Sequence, residues 1–225
     1  YGKCGNNGLL ATSPDLNTWT GRISALPAIS FNAGTYGVGI SGARYVIAGN
    51  ISGSATIQSS PDAITWTQKT SNGGSQNFND VLFYPTGASG IFVAAGTGGV
   101  LCSSPDGDTW TSRTSNFGAT AAIYFAYNTN IAVVVGNTGK ISSSPDGITW
   151  TAQTSNTGNQ LIAVAWNGTI FCAVGNGGTI LTSPDGITWT KQSPTGILNN
   201  TNWTCIASDG TFFYTINGTN AVYIS

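Results

Sequence analysis

The stretch Ser144-Pro145-Asp146-Gly147-Ile148-Thr149-Trp150-Thr151 decides the fold, because it returns four more times. The other copies run from Ser13 to Thr20, Ser60 to Thr67, Ser104 to Thr111 and Ser183 to Thr190. Their aspartates, Asp15, Asp62, Asp106, Asp146 and Asp185, stand 47, 44, 40 and 39 residues apart in turn. A period of that length suits one four-stranded propeller blade. A unit so short cannot bury its own core and has to stack on its neighbours, so the copies form one body. The sequence therefore predicts an all-β fold: a five-bladed β-propeller of four-stranded antiparallel blades, with six blades as the alternative, in a single domain over residues 1–225.

The residues between the copies read as strands. Leu161-Ile162-Ala163-Val164-Ala165-Trp166, Thr169-Ile170-Phe171-Cys172-Ala173-Val174, Thr179-Ile180-Leu181-Thr182 and Ile187-Thr188-Trp189-Thr190 are each bounded by Gly, Asn or Asp, the usual punctuation of short strands. No segment carries a helical period of 3.6.

The repeated phrase reads as a turn followed by a strand. Proline presets φ at the second turn position, and Gly107, Gly147 and Gly186 suit a left-handed residue. Leu16 and Ala63 replace that glycine in two copies, where a different or strained turn is expected. The aspartate is positioned to accept N–H groups two and three residues on. In Thr-Trp-Thr the aromatic faces one side of the strand and the β-branched residues face the other. Trp19, Trp66, Trp110, Trp150 and Trp189 are thus expected to seal the contact between blades.

Ser-Pro-Asp-Gly-x-Thr-Trp resembles the Asp-box, or BNR repeat, of sialidases, photosynthetic assembly factors and many secreted or viral propellers. Five copies spread over nearly the whole chain carry the resemblance. It implies that each phrase is a structural turn between the third and fourth strands of a blade, away from any catalytic centre. A sialidase site would resemble three clustered arginines, a tyrosine and glutamate pair and an acidic aspartate. This chain has three arginines in all, Arg22, Arg44 and Arg113, and no glutamate, so a non-sialidase member is expected.

Composition narrows the chemistry further. Histidine, glutamate and methionine are absent, and charged residues make up 7% of the chain. Without histidine there is no Ser-His-Asp or Cys-His arrangement and no imidazole for zinc. Five of the eight aspartates belong to the turns, leaving Asp80, Asp108 and Asp209. No enzyme, metal or cofactor is expected. A net charge of −1 gives no footprint for nucleic acid. The longest apolar runs, such as Ile131-Ala132-Val133-Val134-Val135, fall far short of the roughly 18 to 20 residues of a membrane span.

With chemistry set aside, recognition is expected on the loops at the end of the blades opposite the Asp turns. One loop set contains Gly136-Asn137-Thr138-Gly139 and Gly175-Asn176-Gly177-Gly178; the other contains Thr70-Ser71-Asn72-Gly73, Thr114-Ser115-Asn116-Phe117-Gly118 and Thr154-Ser155-Asn156-Thr157-Gly158. Asn72, Asn116, Asn156, Asn137 and Asn176, beside Phe78, Phe117 and Trp203, form a candidate surface for sugar hydroxyls and pyranose faces. The same Asn and Gly residues are what tight turns require in any case. Tyr84, Tyr127 and Trp166 offer an aromatic platform or rim packing at the other end.

Four cysteines, Cys4, Cys102, Cys172 and Cys205, lack the close spacing of a metal site. A Cys4–Cys205 disulfide across the closing region and buried free thiols are the two readings. Second and third strands occur at both ends, in residues 1–8 and 9–12 and again in residues 211–216 and 221–225. A closing blade built from both termini leaves a surplus set to cover an edge or pair with a neighbouring subunit. A first residue that is not methionine reads as a processed product, an excised fragment or incomplete numbering. The expectation is a non-enzymatic extracellular propeller, a structural or adhesive subunit of a cell-surface, filament or virion assembly that self-assembles through terminal strands. A multivalent carbohydrate-binding module is the alternative.

Overall fold

The computed structural model of the chain describes residues 2–5, 8–26, 29–193, 201–217 and 222–224. They form six antiparallel sheets in two compact units, residues 1–114 and 115–225.

In the first unit, one sheet is β1 (Gly2–Cys4), β2 (Leu9–Thr12) and β3 (Thr20–Ile23). The second is β4 (Ser30–Gly39), β5 (Gly42–Ile51), β6 (Ser54–Ser60) and β7 (Thr67–Lys69). The third is β8 (Phe78–Tyr84), β9 (Ile91–Gly96), β10 (Leu101–Ser104) and β11 (Thr111–Ser112).

In the second unit, the fourth sheet is β12 (Ala122–Tyr127), β13 (Ala132–Gly136), β14 (Ile141–Ser144) and β15 (Thr151–Gln153). The fifth is β16 (Leu161–Trp166), β17 (Phe171–Gly175), β18 (Ile180–Ser183) and β19 (Thr190–Lys191). The sixth is β20 (Trp203–Ser208), β21 (Phe213–Asn217) and β22 (Val222–Ile224). Each sheet is a meander of sequential neighbours. The duplicated terminal strands are real, and among the described residues they pair within two separate three-stranded sheets rather than one four-stranded sheet.

Position within the sheet explains the residue pattern. The second strand is flanked on both sides and covered on both faces, so Ala132–Gly136 is buried throughout and reads as an unbroken apolar run. The fourth strand lies on the edge and is short; both residues of Thr111–Ser112 are exposed. Edges this short resist unwanted pairing.

Five first strands carry a bulge at the same place, including the one between Ala122 and Tyr124 and the one between Leu161 and Ala163. Opposite the bulge the second strand carries glycine in four of the five, Gly49, Gly96, Gly136 and Gly175, and Asn217 in the other. A Cβ on Gly136 would lie 2.1 Å from the Ala121 oxygen, and one on Gly175 would lie 2.0 Å from the Gln160 oxygen. These glycines are required by that close approach.

The cores lie between successive sheets. Val46, Ala48 and Ile57 of the second sheet pack with Phe78, Phe92 and Trp110 of the third. Val133, Val135 and Ile141 of the fourth pack with Leu161, Phe171 and Trp189 of the fifth. Ala163, Cys172 and Val174 pack with Trp203 and Phe213 of the sixth. Each large side chain so buried stabilises by roughly 1.5–3 kcal/mol, more than a typical hydrogen bond between neutral groups.

Candidate functional site

In the four four-stranded sheets the third strand turns into the fourth at one end, in the first sheet β2 turns into β3 there, and at these five turns a carboxylate caps the backbone. Asp146 Oδ1 accepts from Ile148 N at 2.8 Å, Thr149 N at 2.7 Å and Ser144 Oγ at 2.9 Å. Asp15, Asp62, Asp106 and Asp185 take the same N–H pairs two and three residues on, at 2.7–2.9 Å. The turn glycines hold φ of 71–75°, and Leu16 and Ala63 adopt the same left-handed region at 67° and 59°. The two non-glycine copies thus keep the turn and bear the strain. Ser104, Ser144 and Ser183 Oγ each accept the glycine N–H at 2.8 Å.

The tryptophans follow the same division. Trp110, Trp150 and Trp189 are buried, and each donates its indole N–H to the turn glycine carbonyl at 3.2 Å. Trp19 donates to the Leu16 oxygen at 3.0 Å, whereas the buried Nε1 of Trp66 has no partner.

Charge at this end is locked in place. Partial burial pushes the Asp146 carboxyl up, but the Thr149 and Ile148 N–H groups and Ser144 outweigh it and hold it below the ordinary value. Asp106 and Asp185 follow the same balance. In Asp62 the Thr65 and Ile64 N–H groups dominate and bring the carboxyl down to about 2; Thr18 and Asn17 lower Asp15 likewise.

The remaining carboxylates are engaged too. Asp108 stands where three other turns carry isoleucine. Its Oδ2 accepts from Arg44 Nε and Nη2 at 3.2 and 3.1 Å, and its Oδ1 accepts from Ser59 Oγ at 2.5 Å and pairs with Lys69 Nζ at 3.0 Å. Burial opposes ionisation there, and Ser59, Arg44 and Lys69 overcome it. Asp209 accepts from Tyr214 Oη at 2.6 Å and from the Thr211 and Phe212 N–H groups. Asp80 accepts from Val81 N at 2.9 Å. Among the described residues no three His, Cys, Asp or Glu side chains gather as a metal site, and no helix is long and apolar enough to cross a membrane.

The opposite end looks different from the expectation. Asn72 and Asn116 hold φ of 55° and 65° and turn their amides inward: Asn72 Nδ2 donates to the Trp110 oxygen at 2.6 Å, and Asn116 Nδ2 to the Trp150 oxygen at 2.7 Å. Each tie runs from the loop after one sheet to the tryptophan of the next. Asn156 repeats the backbone conformation, with φ of 56°, and is exposed like the other two, but makes no such tie. Asn176 Nδ2 donates to Gln160 Oε1 at 3.3 Å, and Asn137 Oδ1 is buried without a partner.

Phe78, Phe117 and Trp203 are wholly buried, so none presents a face to a sugar; each fills the space beneath its loop. Of the platform at the turn end, Tyr84 is buried, Trp166 packs on Phe171 at 4.6 Å between ring centroids, and Tyr127 is exposed.

Cys205 is a free, exposed thiol, and the side chain of Cys4, the other half of the expected bridge, lies outside the described residues. Cys102 and Cys172 are buried, and burial pushes both thiols up to about 12.

Sequence reasoning left Asp108 without a role, although an aspartate in place of isoleucine was a visible signal. It also missed the exposed apolar residues at the turn end, where Leu16, Ile64, Ile148 and Ile187 each project from a turn of their own sheet. The repeated meanders with capped turns define a propeller-like all-β protein. The model of the DUF6242 beta propeller domain matches residues 13–160, and the chain belongs to that family.

In structure the chain is similar to YCF48 bound to D1 peptide, with a TM-score of 0.68 and 17% identity over 100% of this chain and 73% of that one. It is also similar to selenomethionine-substituted virginiamycin B lyase from Staphylococcus aureus (TM-score 0.75, 11% identity, 97% of this chain and 77% of that one). YCF48 from Cyanidioschyzon merolae gives a TM-score of 0.59 at 14% identity, over 95% and 75%. Identities this low carry the fold alone. No curated protein matches the sequence.

Proposed function

We propose that this chain is a non-enzymatic structural or adhesive module of a cell-surface, filament or virion assembly, working outside the cytoplasm. One observation carries the reading: all eight side-chain carboxylates accept hydrogen bonds, seven of them in turns or ion pairs and Asp80 from the neighbouring Val81 N–H. No pair is left free to act as general acid and base, and histidine is absent.

The capped turns, with their Ser-Pro-Asp sequence, support assignment to the Asp-box class without its sialidase residues. Six sheets support the six-bladed alternative over five, each terminus supplying its own partial blade. Apolar side chains on the turns favour a protein surface as partner. Self-association is the concrete form of the proposal, and light scattering at high concentration tests it; a monomer throughout the range would overturn it.

A multivalent carbohydrate-binding module is the second reading, and the untied, exposed amide of Asn156 is what favours it. A glycan array with no hits, or with hits unaffected by Asn156→Ala, would remove that reading.

A further inference from the structure

The second sheet carries an extension that the other described four-stranded sheets lack. β4 and β5 are ten residues each, against five to seven in the first two strands of the other described four-stranded sheets. Pairing of β5 with β6 begins at Tyr45↔Ser60, whereas pairing of β4 with β5 continues outward to Gly39↔Gly42. Residues 36–44 are therefore a two-stranded ribbon projecting past the sheet. Such a ribbon is marginally stable alone, so its position depends on what it touches.

One face is docked on the third sheet. Ile40 N donates to the Pro105 oxygen at 3.0 Å. The ribbon lies so close that a Cβ on Gly39 would meet that oxygen at 2.3 Å, and one on Gly37 would meet the Phe83 ring at 2.1 Å. Arg44 reaches Asp108 from the same face. On the other face Tyr36 and Val38 are 51% and 53% exposed, with Ile40 at the tip 65% exposed.

We propose that residues 36–44 form a strap that closes over Phe83 and the 105–108 turn and opens on its own, without unfolding the second sheet. Asp108 is its catch. The docked face holds by glycines, one backbone hydrogen bond and an ion pair whose partners remain 21% and 28% exposed, a weak set beside the buried Val46 and Ala48 further along β5. Opening uncovers Phe83, now packed against Gly37, Gly90 and Phe92. The strap thus gates an apolar surface at the turn end.

Amide hydrogen exchange followed by NMR tests this in the whole chain. The hydrogen-bonded amides of residues 37–44 should exchange faster than those pairing β5 with β6. Asp108→Asn, which also frees Ser59 and Lys69 of the second sheet, should speed the strap amides by about tenfold and the β5–β6 amides by much less. Gly39→Ala should do the same more strongly. If Gly39→Ala prevents folding, the wild type and Asp108→Asn still decide. A common exchange rate for strap and sheet in the wild type, or strap rates indifferent to Asp108→Asn, overturns the proposal.

Discussion

At the scale of single residues, the turns separate charge from backbone conformation. Ala63 sits at φ 59° in a place where three other copies have glycine. A left-handed alanine costs roughly 1–2 kcal/mol, partly offset by the entropy glycine loses on folding. Ala63→Gly should therefore stabilise by about 0.5–1 kcal/mol, seen as a higher urea midpoint with an unchanged slope. Asp146→Ala removes the acceptor of three hydrogen bonds and leaves two N–H groups uncapped. A loss of about 1–3 kcal/mol is expected, read from the same titration. The thiols give a third outcome. Cys205 should label with a maleimide in the native protein, while Cys102 and Cys172 should label only after unfolding, as peptide mapping by mass spectrometry would show.

Elements are joined by ties that the sequence shows only in part. Asn72→Gly and Asn116→Gly keep the left-handed turn and delete the amide that reaches the next tryptophan. Each should cost about 1 kcal/mol in denaturant unfolding, and Asn156→Gly should cost little. The turns and the meander order were readable because Ser-Pro-Asp and Thr-Trp-Thr act within a few residues of themselves. The destination of Asn72 was not readable. Asparagine suits a left-handed position whether or not its amide has a partner, and the partner stands 38 residues away on another sheet. Burial of Phe117 and Trp203 was hidden for the same reason, since loop aromatics look alike until packing is known. The strap left a trace that went unused: the first aspartate spacing is 47 residues where the last is 39, and the lengthened β4 and β5 lie in that interval.

Across the whole molecule, the pH response follows from one residue type. The five turn carboxyls lie below their ordinary value of 3.8, with Asp62 at about 2. A carboxyl depressed by folding contributes stability that is present above the unfolded value and lost as pH falls through the folded one. The melting temperature should therefore hold level between pH 5 and 8, where no histidine titrates. It should decline from about pH 4 toward pH 2. A step near pH 6 in calorimetry would contradict this. The asparagine ties bear on a different property, resistance to force. A chain stretched between its ends carries load from sheet to sheet, and a side chain bridging two sheets shares that load with the apolar contacts. Tension in the second unit should find the junction between the fourth and fifth sheets first, because Asn156 leaves it unbraced, so in single-molecule pulling that seam is where the chain should begin to yield.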